Sequence, residues 1–200
     1  MSRLVLASAL AVSLFASAAV SAAGPDTNPA NMPAGSYVVD KTHASINAKV
    51  LHQGYSMYSF RFDKFDASFD YDPKNPEASK VKVTVDANSM NTGYDKADKE
   101  FPKEFLAADK NPQVTFTSTK IQRGAGANGT MTGNLTLGGV TKPVTLNVTF
   151  FGSGKGMMGE TRTGFAATTT VKRSEFGLTK YVPMIGDDVA LDINVEFTKK

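Results

Sequence analysis

Residues 133–150 read GNLTLGGVTKPVTLNVTF, two alternating runs around a Gly138–Gly139 turn. Leu135 and Leu137 share one face with Thr136 opposite. Beyond Pro143, which opens the second run, Val144, Leu146, Val148 and Phe150 point one way and Thr145, Asn147 and Thr149 the other. A period of two with a single apolar face is the mark of a half-buried β-sheet. The pattern recurs at 36–40, 44–52, 58–72, 79–86, 114–121, 129–137, 143–151, 162–172 and 189–198. Eight or nine such runs between turn residues describe an all-β barrel or sandwich. The last run is the cleanest, with Val189, Leu191, Ile193, Val195 and Phe197 on one face and Ala190, Asp192, Asn194, Glu196 and Thr198 on the other. Within 58–72 the apolar phase slips from even (Phe60, Phe62) to odd (Phe65, Phe69, Tyr71), which predicts a bulge or sharp bend near Asp63–Lys64.

One stretch departs from this pattern. Residues 94–108, YDKADKEFPKEFLAA, are rich in helix formers and set Ala97, Phe101, Phe105 and Ala108 at three- and four-residue spacing. Pro102 is unfavourable inside a helix, so the reading is a short turn ending near Phe101 and a second beginning at Pro102. Phe101 and Phe105 then face the sheet, either as a lid over one end of a barrel or as a plug completing its core.

Residues 1–23 have the composition of a signal peptide: Arg3 is followed by apolar or small residues from Leu4 to Val20, and small residues near Ala22–Ala23 offer a cleavage site. The run is shorter than the ~20 apolar residues of a membrane span, and with no cysteine in the chain lipoprotein acylation is excluded. The expectation is an exported, periplasmic protein, without stable membrane insertion once the leader is cleaved. Residues 24–35, rich in Pro, Asn and Gly, are expected to form a flexible arm, leaving 36–200 as one domain. The lack of cysteine also excludes disulfides, so stability must come from a core. Without Arg3 the mature chain has 21 basic and 19 acidic side chains, a net +2 that points neither to nucleic acid nor to an anionic surface.

No catalytic, cofactor or metal site is expected. Cysteine chemistry is impossible, and G-x-S-x-G, H-E-x-x-H and P-loop patterns do not occur. His43 and His52, the two histidines, are an odd number of positions apart, so on one uninterrupted strand they face opposite sides and cannot share a metal. The even positions Ile46, Ala48 and Val50 place His52 inward, at the inner rim where it can meet a headgroup. His43 falls outward, as a turn residue bonding backbone. A hydrolase using His52 with Ser45 or Asp40 is weakened by parity, because Ser45 faces the side opposite His52. The Gly152–Gly156 stretch lies between two β runs and reads as a floppy hairpin loop, not a phosphate cradle. The N-x-T triplets at Asn128, Asn134 and Asn147 are discounted as common in Thr-rich β sequence. Asp187 and Asp188 are expected to pin the last long loop by pairing with Arg173 or Lys180.

These segments resemble the YceI-like family. Besides the GVTKPV hairpin, YVVDKTHASI, MNTGYDKADKEF, FLAADKNPQVTFTST, VKRSEFGL and IGDDVALDINVEF are similar to that family's stretches, in order across nearly the whole mature chain. One departure is that Glu100 stands where the family often has a histidine after the helical aspartate, here Asp98, so no headgroup role for that histidine carries over. The resemblance implies a lipocalin-like antiparallel barrel of about eight strands that binds an isoprenoid, isoprenoid quinone or fatty-acyl amphiphile in the periplasm, for carriage or storage, and has no catalytic activity. The candidate lining is Ile46, Val50, His52, Phe62, Val83, Phe101, Phe105, Phe116, Leu135, Leu146, Val148, Phe165, Leu191 and Ile193. Periodicity alone leaves these equally compatible with an ordinary filled core. A solid β-sandwich binding another protein is the alternative, recognisable by open edges and a filled interior. Ligand headgroup and oligomeric state, a homodimer included, stay open.

Overall fold

A computed structural model describes residues 24–200, and the leader read at 1–23 lies outside them. The alternating runs become strands β1 (Gly35–His52), β2 (Ser56–Phe62), β3 (Phe65–Tyr71), β4 (Lys80–Asp86), β5 (Met90–Asn91), β6 (Gln113–Arg123), β7 (Asn128–Leu137), β8 (Val140–Lys155), β9 (Thr161–Lys172) and β10 (Ile185–Lys199), with one helix, α1 (Asp95–Leu106). The runs expected at 36–40 and 44–52 fuse into β1, with an irregularity between Val39 and Ala44 against β10.

β1 closes the sheet. One side pairs with β10 from Tyr37↔Lys199 to His52↔Ile185. Its other side pairs first with β3 and further along with β2. β2 and β3 thus run as one long strand broken at Asp63–Lys64, where the phase slip predicts a bend. The break returns Tyr58, Phe60 and Phe62 and then Phe65, Ala67, Phe69 and Tyr71 to the same inner face. Round the barrel the order is β1, β2/β3, β4, β6, β7, β8, β9, β10, with β5 a short addition on β2. This is a closed antiparallel barrel of eight strands, and the open-edged sandwich is not adopted. A second phase change lies in β6, where the ladder with β7 shifts between Ser118 and Lys120, so Phe116 and Ile121 both face inward.

Three expectations are corrected. Helix α1 runs through Pro102 without interruption. Pro102 forgoes one hydrogen bond, but it and Ala97 are buried beneath the helix, and Asp98 accepts both the backbone N–H and the hydroxyl of Thr92 at 2.7 Å. Tertiary burial outweighs the local preference. The glycine stretch is no floppy loop, because Gly152, Ser153, Gly154 and Lys155 extend β8 against β9. The arm at 24–35 is not free either. Asp26 and Ser153 exchange both backbone hydrogen bonds, at 2.8 and 2.9 Å, and a Cβ on Gly152 would lie 2.8 Å from Pro25 Cβ. The Tyr37 and Tyr71 hydroxyls donate to the carbonyls of Pro33 and Pro29 at 2.6 and 2.8 Å, and Met32 is buried.

Met32 belongs to an aromatic cluster that fills this end of the barrel. Tyr37 stacks on Phe69 at 5.0 Å, Phe69 meets Phe197 edge-on at 4.9 Å, and Phe150 and Phe165 lie 5.3 Å apart. The other end is covered by α1, the β1–β2 hairpin and the segment before β10.

Candidate functional site

Between the aromatic cluster and α1 the barrel is hollow. The cavity measures about 470 Å³, within the ~300–1,000 Å³ range of small-molecule sites. Small residues keep it open: Ala48 on β1, Gly129 on β7 and Ala167 on β9 all line it. At Gly133 the Phe116 ring lies over the bare backbone, and a Cβ there would come within 2.6 Å of Phe116 Cε2 and of the Thr117 carbonyl oxygen.

Each of the fourteen residues named from the sequence lines this space: Ile46, Val50 and His52 from β1, Phe62 from β2, Val83 from β4, Phe101 and Phe105 from α1, Phe116 from β6, Leu135 from β7, Leu146 and Val148 from β8, Phe165 from β9, Leu191 and Ile193 from β10. Phe60, Phe65, Met131, Val144 and Val195 line it too, and the same parity would have found them. Leu178 and Arg173 also contribute, from a turn that carries no periodic signal. Phe101 and Phe105 have free space beneath them, so α1 roofs the cavity and does not fill it. Along this roof an aromatic chain runs from His52 to Tyr58 (6.4 Å), Phe101 (6.1 Å), Phe105 (5.0 Å) and Tyr181 (6.1 Å).

The titratable groups in the lining are His52, Tyr58, Tyr71, Arg123 and Arg173, with no carboxylate, lysine or thiol. Such a wall binds by burying apolar surface, not by charge pairing. Arg173, only 6% exposed, donates from Nε to the Gly186 carbonyl at 2.9 Å and from Nη1 and Nη2 to those of Leu178 and Ile185, each at 2.8 Å. Burial pushes its pKa down from the ordinary value, against a smaller opposing pull from Asp187. The expected pairing of Asp187 or Asp188 with Arg173 or Lys180 is therefore corrected, since the guanidinium is committed to carbonyls. Asp187 accepts from the Ser174 hydroxyl and backbone N–H at 2.7 and 2.8 Å, which hold its carboxyl below the usual range. Asp188 pairs with Lys172 at 2.7 Å, and Lys180 with Glu104.

His43 bonds side chains, not backbone: its Nδ1 lies 2.9 Å from Asp40 Oδ2. Arg162 donates from Nη1 to Asp40 and Glu196, each at 2.6 Å, and from Nη2 to Glu160 at 2.9 Å. Asp40, His43 and Glu196 are close enough to share a cation, but Arg162 already donates to both carboxylates, making this an ion-pair network away from the cavity. Neither Ser45 nor Asp40 is in the lining with His52.

The YceI-like domain family model matches residues 37–197. A UPF0312 protein of Pseudomonas paraeruginosa is 42% identical over 166 residues, which cover 82% of this chain and 86% of that protein. The crystal structure of a Campylobacter jejuni YCEI protein matches with a TM-score of 0.68 at 33% identity, covering 76% of this chain and 91% of that one. A polyisoprenoid binding domain from Saccharophagus degradans, described as implicated in plant cell wall breakdown, matches with a TM-score of 0.61 at 17% identity, over 82% and 98% of the two chains. At that identity the likeness is one of fold.

Proposed function

The chain belongs to the YceI-like family, and from that premise we propose that it is an exported binding protein that holds one long-chain apolar lipid, a polyisoprenoid, isoprenoid quinone or fatty-acyl amphiphile, inside its barrel for carriage or storage. The observation that carries this reading is the apolar cavity of about 470 Å³, walled by inward side chains from every strand of the barrel and by Phe101 and Phe105 of α1. Burial of a ligand methylene contributes ~0.8 kcal/mol, so ten carbons offer roughly 8 kcal/mol before the ordering costs of association. Aliphatic contact alone can thus hold a long chain. The polyisoprenoid-binding neighbour of the same fold favours an isoprenoid among the candidates. Headgroup contact is assigned in this reading to His52, half-buried beside Tyr58 at the roofed end. No reaction, metal or cofactor enters this reading.

Export rests on the leader pattern of residues 1–23. The full chain should be expressed and isolated from the periplasm, then examined by native mass spectrometry and by organic extraction. The expected result is a polypeptide cleaved near Ala22–Ala23 carrying one lipid per chain. A bare polypeptide that, once delipidated, takes up no isoprenoid, quinone or fatty-acyl probe would overturn the carrier reading, and an uncleaved N-terminus would overturn the export reading.

A further inference from the structure

The outer surface around the roofed end of the cavity is unusual for this chain. Leu51, Tyr55 and Met57 on the β1–β2 hairpin are 44%, 87% and 51% exposed, and Tyr181, Val182 and Met184 before β10 are 48%, 36% and 59% exposed. The two groups adjoin. The Gln53 N–H donates to the Met184 carbonyl at 2.7 Å, Leu51 pairs across the hairpin with Met57, and a Cβ on Gly186 would lie 3.2 Å from that of Leu51. From Val50 to Phe60 and from Tyr181 to Gly186 there is no Asp, Glu, Lys or Arg, in a chain where these make up 20% of residues. Gln53 and Tyr181 both hold left-handed backbone (φ 51° and 60°), a conformation unfavourable for residues other than glycine. Tyr181 also joins this apron to the interior, its ring 6.1 Å from that of Phe105.

We propose that this apron docks on the surface of a lipid bilayer, bringing the α1 end of the barrel against the membrane so that a lipid passes between bilayer and cavity without crossing water. The inference rests on the lipid-holding reading above. An uncharged surface with tyrosines suits the interfacial layer, where their amphipathic rings settle. Arginine, which anchors many protein interfaces, is absent from both loops. Lys49 borders the β1–β2 hairpin, and a lysine stem can lie along apolar surface while its ammonium reaches lipid phosphate. Docking is peripheral: no helix among the described residues is long and apolar enough to cross a membrane.

The test is flotation of the delipidated mature protein with vesicles of phosphatidylethanolamine and phosphatidylglycerol, together with uptake of a fluorescent prenol supplied either in those vesicles or from ethanol. The variant combines Leu51→Ser, Met57→Ser and Met184→Ser. The control combines Met157→Ser and Met158→Ser, two fully exposed methionines in the β8–β9 turn at the opposite end. Vesicle association and uptake from vesicles should each fall about tenfold or more in the triple variant, because three apolar side chains no longer bury surface in the interface. Uptake from ethanol should be unchanged, and the control should behave as the parent. If the triple variant floats like the parent, or the control falls equally, the docking surface is refuted. If vesicle association falls as expected but no protein takes prenol from ethanol, the docking surface stands and the lipid-holding reading fails. Should the triple variant lose cooperative unfolding, Met184→Ser alone decides by the same criteria, with about a twofold to threefold loss expected from one side chain.

Discussion

Val148→Trp distinguishes a hollow barrel from a filled one. Val148 lines the cavity, and its partners in register are Gly129 on β7 and Ala167 on β9, so a larger ring at this level meets two of the smallest residues in the wall. Tryptophan adds about seven non-hydrogen atoms, and each ligand carbon displaced forfeits ~0.8 kcal/mol, or about 6 kcal/mol for a ligand that cannot shift. Sliding along the cavity recovers part of this, so the expected loss is at least about tenfold in affinity, ~1.4 kcal/mol. In a filled core the same change would destabilise the fold by ~1–3 kcal/mol or more through overpacking. Thr149→Trp is the matched control: Thr149 faces outward and bonds Asn128 Oδ1 at 2.9 Å, and its replacement should leave ligand binding nearly unchanged. The assay is titration of a fluorescent prenol into delipidated protein, with a urea midpoint for each variant. Unfolding of Val148→Trp, or parent-like binding by both variants, would refute the reasoning.

Gly133→Ala sets a Cβ against the Phe116 ring and the Thr117 carbonyl; a loss of ~1–3 kcal/mol in urea unfolding is expected, and a parent-like midpoint would show that the ring gives way freely. Acid should weaken the outer ion-pair network. Hydrogen bonds from Thr42 and His43, then Arg162, hold the Asp40 carboxyl far below its ordinary range. The folded pKa therefore lies below the unfolded one near ~3.9, so this stabilisation is complete above about pH 4 and is lost as pH falls further toward the folded value. The stability of Asp40→Asn should consequently be lower at neutral pH and fall less steeply below pH ~4 than that of the parent; parallel urea midpoints over that range would refute the assignment.

Most of the barrel was legible in the sequence because one face of each strand meets water and the other does not. Val144, Leu146, Val148 and Phe150 alternate with threonine and asparagine, and the slip between Phe62 and Phe65 located the break that lets β2 and β3 share one inner face. The parity flip near Ser118–Lys120 was not legible, because both sides of it are polar. Pro102 misled because its local preference yields to burial of its own ring beneath α1. The docked arm was hidden for a different reason: its anchors, Tyr37 and Tyr71, lie on strands and bond carbonyls that any residue could supply. Alternation specifies which side chains point inward but not how far apart they end. The cavity therefore depends on the small residues Ala48, Gly129 and Ala167, whose effect is visible only once the strands are set round a circle.

The seam between β1 and β10 joins the first and the last strand of the described residues, with Tyr37 opposite Lys199. β1 cannot find this partner until β10 (Ile185–Lys199) has been synthesised. Pairings so remote in sequence form slowly, because the loop they close must be ordered before they stabilise anything. For a polypeptide exported as proposed above, such late closure is an advantage: the chain stays threadable before β10 is made, and its barrel shuts only when that strand has arrived.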